Sequence, residues 1–284
     1  MKIAVIGAGT IGLSWTKLFA DHGHDVRVSD PRADLADVLR EFDPARVRAA
    51  ADLADAVRDA DVVQENGPEN LEFKKDLFAT LVEQAPRHAL LLSSSSAIPA
   101  GAFAPADGER VLIGHPFNPP HVLPLVEVVP SERTSEDSVR RAVEFYRSLG
   151  RTPVVEHKEV PGFVGNRLQA ALQREAVSLV QQGVVSPAEL DAVVVNSLGP
   201  RWATVGPFLG AHLGGGPGGY RHLTSHIGSS MSNLSVGKPD TSPEATERVV
   251  EAVEQAYGDK SYEELAEARD RTQLAILSVT GEEK

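Results

Sequence analysis

The first half of the chain alternates short apolar runs with longer segments whose apolar residues recur at helical spacing. Lys2–Ile6 is an apolar run typical of a strand, and it is followed by Thr10–His22, where Trp15 and Phe19 share one helical face. The other predicted strands are Asp25–Ser29, Asp61–Glu65, Ala89–Ser93, Val111–Ile113, Leu125–Val129 and Pro153–Glu156. Strand, helix and strand in repetition predict an α/β fold with a doubly wound parallel sheet, because continuously apolar strands suit a sheet covered on both faces.

From Gly162 onward the apolar spacing is helical. The change of pattern near Glu156–Pro161 divides the chain into a nucleotide-binding domain, residues 1–158, and an all-helical domain, residues 159–284, which we expect to bind substrate and to form a homodimer. The dimer is expected because these helices are too apolar to cover one another fully. The predicted helices are Phe163–Gln182, Pro187–Ser197, Pro243–Tyr257 and Tyr262–Val279, and the glycine-rich stretch Gly210–Tyr220 is predicted to be a loop between helices.

A glycine-rich motif, Gly7-Ala8-Gly9-Thr10-Ile11-Gly12, joins the first strand to the first helix. It has the form GxGxxG in the strand–turn–helix context that dinucleotide binding requires, so the sheet is predicted to be of the Rossmann type. Gly7 permits a tight turn, Gly9 lets the backbone approach a pyrophosphate, and Gly12 lets the helix pack against the strand. The pyrophosphate would lie at the helix N-terminus, against the N–H groups of residues such as Thr10 and Ile11.

Asp30 ends the second predicted strand, 18 residues after Gly12. A carboxylate at this position accepts hydrogen bonds from the ribose hydroxyls and repels the 2′-phosphate of NADP, so the sequence predicts NAD as the cofactor. Arg32 is close enough to raise the alternative of NADP, but the Asp30 carboxylate outweighs it.

A histidine and an acid form a candidate catalytic pair. His115 follows the strand Val111–Ile113, at the carboxyl edge of the sheet where ligands bind in such folds. Glu127 lies within an apolar strand, and a carboxylate buried there needs a partner. We predict that Glu127 fixes the tautomer of His115, which then accepts the proton of a substrate hydroxyl. The residues alone also allow a core histidine bonded to the backbone, with Glu127 facing solvent.

Composition narrows the class of partner. The net charge of −12 repels a phosphate backbone, so no nucleic-acid partner is expected. The chain has no cysteine, which excludes disulfides and thiolate zinc sites, and no metal site is predicted. The first apolar run is too short for a signal peptide, and no later run is long enough to cross a bilayer. We therefore expect a cytoplasmic protein without a membrane partner.

Longer motifs resemble the L-3-hydroxyacyl-CoA dehydrogenase superfamily, most closely the branch that holds lambda-crystallin, L-gulonate 3-dehydrogenase and L-carnitine dehydrogenase. The motifs are GAGTIG (7–12), QENGPENLEFKKDLF (64–78), LSSSSAIP (92–99), GHPFNPPHVLPLVEVVP (114–130), PGFVGNRLQ (161–169) and GPRWATVGPFLGAHLGGGPGGYRH (199–222). The last is most similar to the carnitine dehydrogenases. The resemblance implies hydride transfer between NAD and carbon 3 of a small 3-hydroxy or 3-oxo acid.

The resemblance also implies roles for single residues. His115 corresponds to the catalytic base and Glu127 to its acidic partner. Ser96 corresponds to the serine that bonds substrate near the nicotinamide, and Asn166 to the asparagine that helps hold the substrate oxygen. The implied cofactor contacts are Glu69, Lys74 and Asn118. The residues alone also allow a capping role for the serine run and a local backbone bond for Asn166.

The segment between the second and fourth predicted strands departs from the acyl-CoA members of the family. Pro31–Ala60 has only 30 residues, predicted as a helix over Ala33–Glu41, a short strand over Val47–Ala49 and a second helix. The helical hairpin that holds part of coenzyme A in those members has no room here. The sequence therefore favours a free hydroxy acid.

Two further positions bear on the substrate. Met231–Ser235 contains no aromatic residue to face a quaternary ammonium, which argues against carnitine itself. Arg201, predicted to lie in a loop with Trp202, is a candidate clamp for a substrate carboxylate. The alternatives for Arg201 are a helix C-terminal cap or a position in solvent.

Two other functions stay open on the sequence alone. One is a 3-hydroxyacyl thioester dehydrogenase acting on coenzyme A or acyl-carrier-protein substrates. The other, from a different class, is a non-catalytic NAD-binding protein of the crystallin kind. The complete set of Ser96, His115, Glu127 and Asn166 argues against the second.

Overall fold

The computed structural model describes residues 1–226 and 234–280 of the chain. The chain forms two compact units that divide between Arg167 and Leu168, within a continuous helix over Phe163–Gln181. The first unit contains the whole sheet, and the second is built from helices.

Eight strands form one sheet, in the order β3-β2-β1-β4-β5-β6-β7-β8. The first six run parallel to one another, and their order, 3-2-1-4-5-6, is that of doubly wound dinucleotide-binding sheets. This confirms the predicted fold class. The strands are β1 (Lys2–Ile6), β2 (Asp25–Ser29), β3 (Val47–Ala49), β4 (Val62–Glu65), β5 (Leu90–Ser93), β6 (Val111–Pro116), β7 (Leu125–Pro130) and β8 (Thr152–Val155).

The seventh strand departs from the parallel arrangement. β7 pairs antiparallel with β6, and β8 pairs parallel with β7. The connection from Phe117 to Pro124 is too short for the crossover that a parallel neighbour requires, so the chain turns back. This antiparallel pairing places His115 directly opposite Glu127.

Helices cover both faces of the sheet. Trp15, Phe19 and Tyr146 belong to the apolar cluster on one face, and Phe78 and Phe103 to the cluster on the other. The helices of this unit are α1 (Thr10–Asp21), α2 (Leu35–Val38), α3 (Leu53–Val57), α4 (Leu71–Gln84), α5 (Ala100–Phe103) and α6 (Glu136–Ser148), with a 3₁₀ turn over Leu39–Glu41. The predicted helix over Ala33–Glu41 is therefore two short pieces, and the other helix between β2 and β4 is α3, with five residues.

The second unit continues α7 (Phe163–Gln181) through further helices. These are α8 (Pro187–Val193), a π-helical turn (Val194–Leu198), α9 (Gly199–Thr204), α10 (Pro207–Gly214), α11 (Gly219–His226), α12 (Pro243–Tyr257) and α13 (Tyr262–Thr280). Among the described residues, no helix is both long and apolar enough to cross a membrane.

Two loop predictions in this unit were wrong. Gly210–Tyr220 is mostly helical, made of the end of α10, a 3₁₀ turn and the start of α11. Gly215 permits a close backbone approach, because a Cβ there would lie 1.9 Å from the Gly219 carbonyl oxygen. Arg201 and Trp202 lie on α9, which starts at the Gly199-Pro200 pair.

Candidate active site

The predicted site residues of the first unit gather where the parallel strands end. The GxGxxG loop follows β1, the segment 66–70 follows β4, the serine run follows β5, and His115 lies at the end of β6. This is the edge at which doubly wound sheets bind their ligands.

The three glycines of the motif meet different surroundings. Gly7 has φ +97°, and a Cβ there would lie 2.8 Å from the Asn66 carbonyl oxygen. A Cβ on Gly12 would lie 1.9 Å from the Gly7 carbonyl oxygen, so α1 packs on this loop only because Gly12 is a glycine. A Cβ on Gly9 meets nothing within 4 Å. Gly9 therefore borders open space.

The N-terminus of α1 suits an anion. Gly9 occupies the N-cap position without a side-chain cap, and the first turn carries no acidic residue. The N–H groups of the first turn and the helix dipole then favour negative charge in the space beside Gly9. The residues present thus fit the pyrophosphate of a dinucleotide.

Asp30 stabilises the GxGxxG loop and retains free hydrogen-bond acceptor sites for a ligand. Its carboxylate accepts hydrogen bonds from the N–H groups of Ala8 at 2.6 Å and Arg32 at 2.9 Å. A carboxylate has about four acceptor sites, so two stay available for ribose hydroxyls. The Arg32 guanidinium is paired with Asp34 at 2.7 and 2.9 Å, which favours NAD over NADP at this position.

His115 and Glu127 form the pair that the sequence predicts. The Glu127 Oε2 atom lies 2.7 Å from Nδ1 of His115, and Glu127 Oε1 accepts the N–H of Gly165 at 2.7 Å. The two residues are 5% and 2% exposed. Burial would raise the pKa of Glu127, but hydrogen bonds from His115, the Gly165 N–H and the Glu156 side chain lower it below its ordinary value. Glu127 is therefore an ionised acceptor that leaves Nε2 of the imidazole for chemistry.

The start of α7 is shaped to serve this pair. Gly162 has φ +79° and Phe163 has φ +49°, a left-handed conformation that costs a residue with a side chain about 1–3 kcal/mol. The turn aims two consecutive N–H groups at acids, that of Val164 at Glu156 (2.7 Å) and that of Gly165 at Glu127. The Phe163 ring, fully buried, lies 5.5 Å from the imidazole.

Ser96 and Asn166 are brought together on the other side of this turn. Asn166 Nδ2 donates to the Ser96 carbonyl oxygen at 2.9 Å, which leaves the second amide proton available. The Ser96 hydroxyl makes no hydrogen bond to any residue that the structure describes. Each side chain thus keeps a donor that is not used within the described residues, and their role in holding a substrate oxygen stays a prediction.

Glu69 holds the serine run in place. Its Oε1 atom accepts from the Ser95 hydroxyl at 2.7 Å and from the N–H groups of Ser96, Ala97 and Ile98 at 2.8 to 3.1 Å. Burial would raise the pKa of Glu69, but these hydrogen bonds and the Lys74 charge lower it. Glu69 is thus an anchor for the loop that carries Ser96.

The remaining predicted contacts differ in exposure, since Lys74 is buried whereas Asn118 and Arg201 are exposed. Lys74 is fully buried, and its Nζ lies 2.9 Å from both carboxylate oxygens of Glu65 and 3.9 Å from Glu69. Asn118 is exposed, two residues after the end of β6. Arg201 is exposed on α9 in the second unit. Residues 231–233, part of the stretch without an aromatic residue, lie outside the described residues.

Several residues of this edge were missed from the sequence. Glu65 accepts from the Ser93 hydroxyl at 2.5 Å and from the Gly67 N–H at 2.6 Å, which ties β4 to β5. Gln64 accepts from the Tyr146 hydroxyl at 2.8 Å. The signal was available, since Gln64-Glu65 closes an apolar strand just as Glu127 interrupts one. Glu156, against Glu127, gave no comparable signal.

Family models match both halves of the chain. The model described as 3-hydroxyacyl-CoA dehydrogenase, NAD binding domain, matches residues 2–43 and 39–160. The model described as 3-hydroxyacyl-CoA dehydrogenase, C-terminal domain, matches residues 162–268.

Known proteins are similar over nearly the full length. A 3-hydroxyacyl-CoA dehydrogenase of Gibberella moniliformis is 40% identical, with 97% of this chain and 94% of that protein covered. An L-carnitine dehydrogenase of Pseudomonas aeruginosa is also 40% identical, with 99% and 94% covered. Among solved structures, 5-formyl-3-hydroxy-2-methylpyridine 4-carboxylic acid 5-dehydrogenase, an NAD⁺-dependent dismutase, has a TM-score of 0.81 at 29% identity and covers 99% of this chain and 98% of its own.

Proposed function

Because the chain belongs to the 3-hydroxyacyl-CoA dehydrogenase family and is an NAD-dependent oxidoreductase, we propose that it oxidises a small free 3-hydroxy acid at carbon 3. The observation that carries this proposal is the buried pair of His115 and Glu127, joined at 2.7 Å at the carboxyl edge of the sheet. A histidine held by a carboxylate is the arrangement a general base needs to take the proton of a hydroxyl.

The proposed reaction gives a separate role to each residue of the site. His115 Nε2 accepts the proton of the C3 hydroxyl, and Glu127 holds the tautomer and stabilises the imidazolium that forms. Ser96 and Asn166 donate hydrogen bonds to the oxygen as it becomes a carbonyl. NAD, when bound, supplies the acceptor of the hydride. Gly9, the N–H groups of Thr10 and Ile11 and the Asp30 carboxylate would hold it, together with Glu69 and Asn118. The buried Lys74 would contribute through Glu69, which lies 3.9 Å from its Nζ.

Two observations support a free acid rather than a thioester. Between β2 and β4 the chain forms only pieces of up to five residues, so it lacks a helical hairpin that could hold coenzyme A. The solved structure that matches almost end to end is a dehydrogenase whose substrate is named as a free carboxylic acid. We propose Arg201 as the clamp for that carboxylate, through the paired donors of its guanidinium.

We further propose that the two predicted domains have different roles. Residues 1–158 bind NAD, and residues 159–284 contribute to substrate binding and form a homodimer. The second unit exposes large apolar side chains, such as Phe208 at 76% and Leu213 at 60%, which a second copy would cover. The net charge of −12 and the lack of cysteine support a cytoplasmic protein without a nucleic-acid partner.

The substrate class is tested by following NADH absorbance with a matched panel. The panel holds L-3-hydroxybutyrate and its coenzyme A thioester, L-gulonate, L-carnitine and the named pyridine carboxylic acid aldehyde. Higher kcat/KM for a free acid than for the thioester supports the proposal. Preference for the thioester contradicts it, and would extend the activity named for the Gibberella relative to this chain.

The Arg201 assignment is tested on the best free acid of the same panel. Arg201→Lys keeps the charge but loses the paired donors, so KM should rise about tenfold with little change in kcat, a loss of about 1.4 kcal/mol. Arg221→Lys is the matched control on another helix of the second unit. An unchanged KM for Arg201→Lys contradicts the clamp.

A further inference from the structure

A second acid, Glu156, stands behind the catalytic pair. It directly follows β8, its N–H donates to the Val128 carbonyl oxygen at 3.0 Å, and it is 7% exposed. β8 runs beside β7 with Val154 opposite Glu127. Since side chains alternate along a strand, Glu156, two residues after Val154, faces the same side as Glu127.

The carboxyl groups of Glu127 and Glu156 are neighbours on adjacent strands, and they accept from the consecutive N–H groups of Gly165 and Val164 at 2.7 Å each. A hydrogen bond between the two groups lowers the pKa of Glu127 and raises that of Glu156. Two carboxylates in such contact repel, and a hydrogen bond between them needs a proton on one member. Glu127 already accepts from Nδ1 of His115 and from the Gly165 N–H, one bond on each oxygen. Glu156 accepts one N–H bond, from Val164 at 2.7 Å. The better stabilised anion is therefore Glu127, and the proton belongs on Glu156.

The surroundings point to the same assignment. Burial raises the pKa of Glu156, and the hydrogen bond and negative charge of Glu127 raise it further. The Val164 N–H opposes them, as does the charge of His115 when its imidazole is protonated. The titratable groups that act on Glu156 are thus Glu127 from β7 and His115 from β6, and α7 contributes one N–H group.

We propose that Glu156 carries a proton and donates it to Glu127, so that His115, Glu127 and Glu156 form a hydrogen-bonded chain with a single negative charge. Glu156 is then a positioning residue, which acts on the base through Glu127. The proposal rests on the proposed function only for its kinetic consequence. The protonated carboxyl group is a property of the protein without substrate.

A single negative charge beside His115 suits the proposed proton transfer. Oxidation of a hydroxyl requires a neutral imidazole that accepts a proton. A second carboxylate beside Glu127 would favour the imidazolium, which is the form that cannot accept a proton. A neutral Glu156 orients Glu127 without adding that charge, and it also ties the pair to the first turn of α7, which carries Asn166.

Infrared spectroscopy tests the proton directly. In wild type, at a pH about two units above the ordinary glutamic acid value of about 4.3, where ordinary carboxyl groups are almost fully ionised, we expect the C=O stretching band of a protonated carboxylic acid. Glu156→Gln should remove this band, and Glu159→Gln, three residues along the same segment, should not. Absence of the band from wild type overturns the proposal even if no variant folds.

The pH dependence separates positioning from a merely structural role. Glu156→Gln supplies a neutral donor, so the acid limb of the kcat–pH profile should stay within about 0.3 pH unit of wild type, a twofold change in proton affinity. Glu156→Ala removes the donor to Glu127 and should move that limb to higher pH. A shift of the Glu156→Gln limb to lower pH by about a unit would show that a negative charge had been removed, and would overturn the proposal.

The variants can also be compared in protein without substrate, by the titration of the His115 ring. ¹⁵N-labelled histidine reports the titration of the His115 ring in protein without substrate, with His115→Gln used for assignment. We expect the same titration midpoint in wild type and Glu156→Gln, and a higher one in Glu156→Ala. A lower midpoint in Glu156→Gln contradicts the protonated state. If no panel substrate is oxidised, the proposed function fails while this proposal is still decided.

Discussion

Glu127 is the residue on which the candidate chemistry depends most. A carboxylate that is 2% exposed is costly to bury, and here the cost is offset by donors from His115, the Gly165 N–H and Glu156. All three donors also fix the carboxylate in one orientation. The imidazole is therefore held in one tautomer before substrate arrives, which is what preorganisation of a general base requires.

Glu127→Gln tests this arrangement. The amide lacks the charge that stabilises the imidazolium, so kcat should fall about 10²- to 10⁴-fold, the range for loss of general-base support. NAD affinity, measured by calorimetry, should be unchanged because Glu127 is not a proposed cofactor contact. A variant with wild-type kcat and a raised KM alone would contradict the role assigned to Glu127.

A second residue-scale prediction concerns stability rather than chemistry. Hydrogen bonds from Lys2 (2.6 Å) and Arg27 lower the pKa of Asp59 to about 2. A depressed pKa stabilises the folded chain above the unfolded value of about 3.9, and this stabilisation is lost as pH falls toward 2. Because Asp59 is about one-third exposed, Asp59→Asn should cost only about 1 kcal/mol at pH 7.

Urea unfolding at pH 7 and at a pH near 2.5 checks the sign. The wild type should exceed Asp59→Asn in stability at pH 7, and the difference should shrink at the lower pH. Asp37→Asn, in an exposed pair with Arg40, is the matched control and should match wild type at both. An equal loss for Asp59→Asn at the two pH values would refute the electrostatic account.

At the scale of elements, we assign different roles to two glycines of the strand–turn–helix that opens the chain, one in folding and one in cofactor binding. Gly12 is required by the Gly7 carbonyl oxygen, whereas Gly9 faces open space. Gly9 also has φ −76°, which alanine adopts readily. Two glycines of one motif thus do different things, and single substitutions can distinguish them.

The matched pair Gly9→Ala and Gly12→Ala should behave differently. Gly9→Ala should leave the Tm within about 2 °C of wild type and weaken NAD binding about tenfold or more, because the methyl group fills the cofactor's space. Gly12→Ala should lower the Tm, since its methyl group meets backbone. Calorimetric titration and thermal unfolding measure both. A Gly9→Ala variant with wild-type NAD affinity would place the cofactor elsewhere.

The elements also show what the sequence could and could not predict. Short apolar runs located the strands, because the central ones are buried between two layers of helices. The edge strands β3 and β8 are partly exposed. The antiparallel turn of β7 was predictable in principle from the short connection after β6. Gly210–Tyr220 was not, since composition does not tell a glycine that permits close helix packing from one that forms a loop.

Some residues of the candidate site were likewise predictable from the sequence, and others were not. His115 and Glu127 were predictable because each places a polar group at an apolar strand. The partner of Lys74 was not, because the Glu65 contact depends on how α4 lies over β4. Glu156 was missed for a similar reason, since only the position of β8 beside β7 brings it to Glu127.

At the scale of the whole molecule, the second unit exposes large apolar side chains that a second copy would cover, including Phe208 at 76% and Val195 at 62%. Light scattering at micromolar concentration should give about twice the 30.3 kDa chain mass. Phe208→Lys is the test variant, and Val154→Lys, on an exposed β8 position of the first unit, is the control. A wild type that scatters as a monomer would rule out the dimer.

The central claim is that His115 is the base of an NAD-linked hydroxy acid dehydrogenase, and the most direct test is NADH formation by His115→Ala. With the best free acid of the panel, kcat should fall about 10²- to 10⁴-fold while NAD affinity stays within twofold of wild type. His88→Ala, an exposed histidine paired with Asp61, should retain wild-type turnover. Equal turnover in His115→Ala and wild type, or tight NAD binding with no turnover in either, would contradict the account.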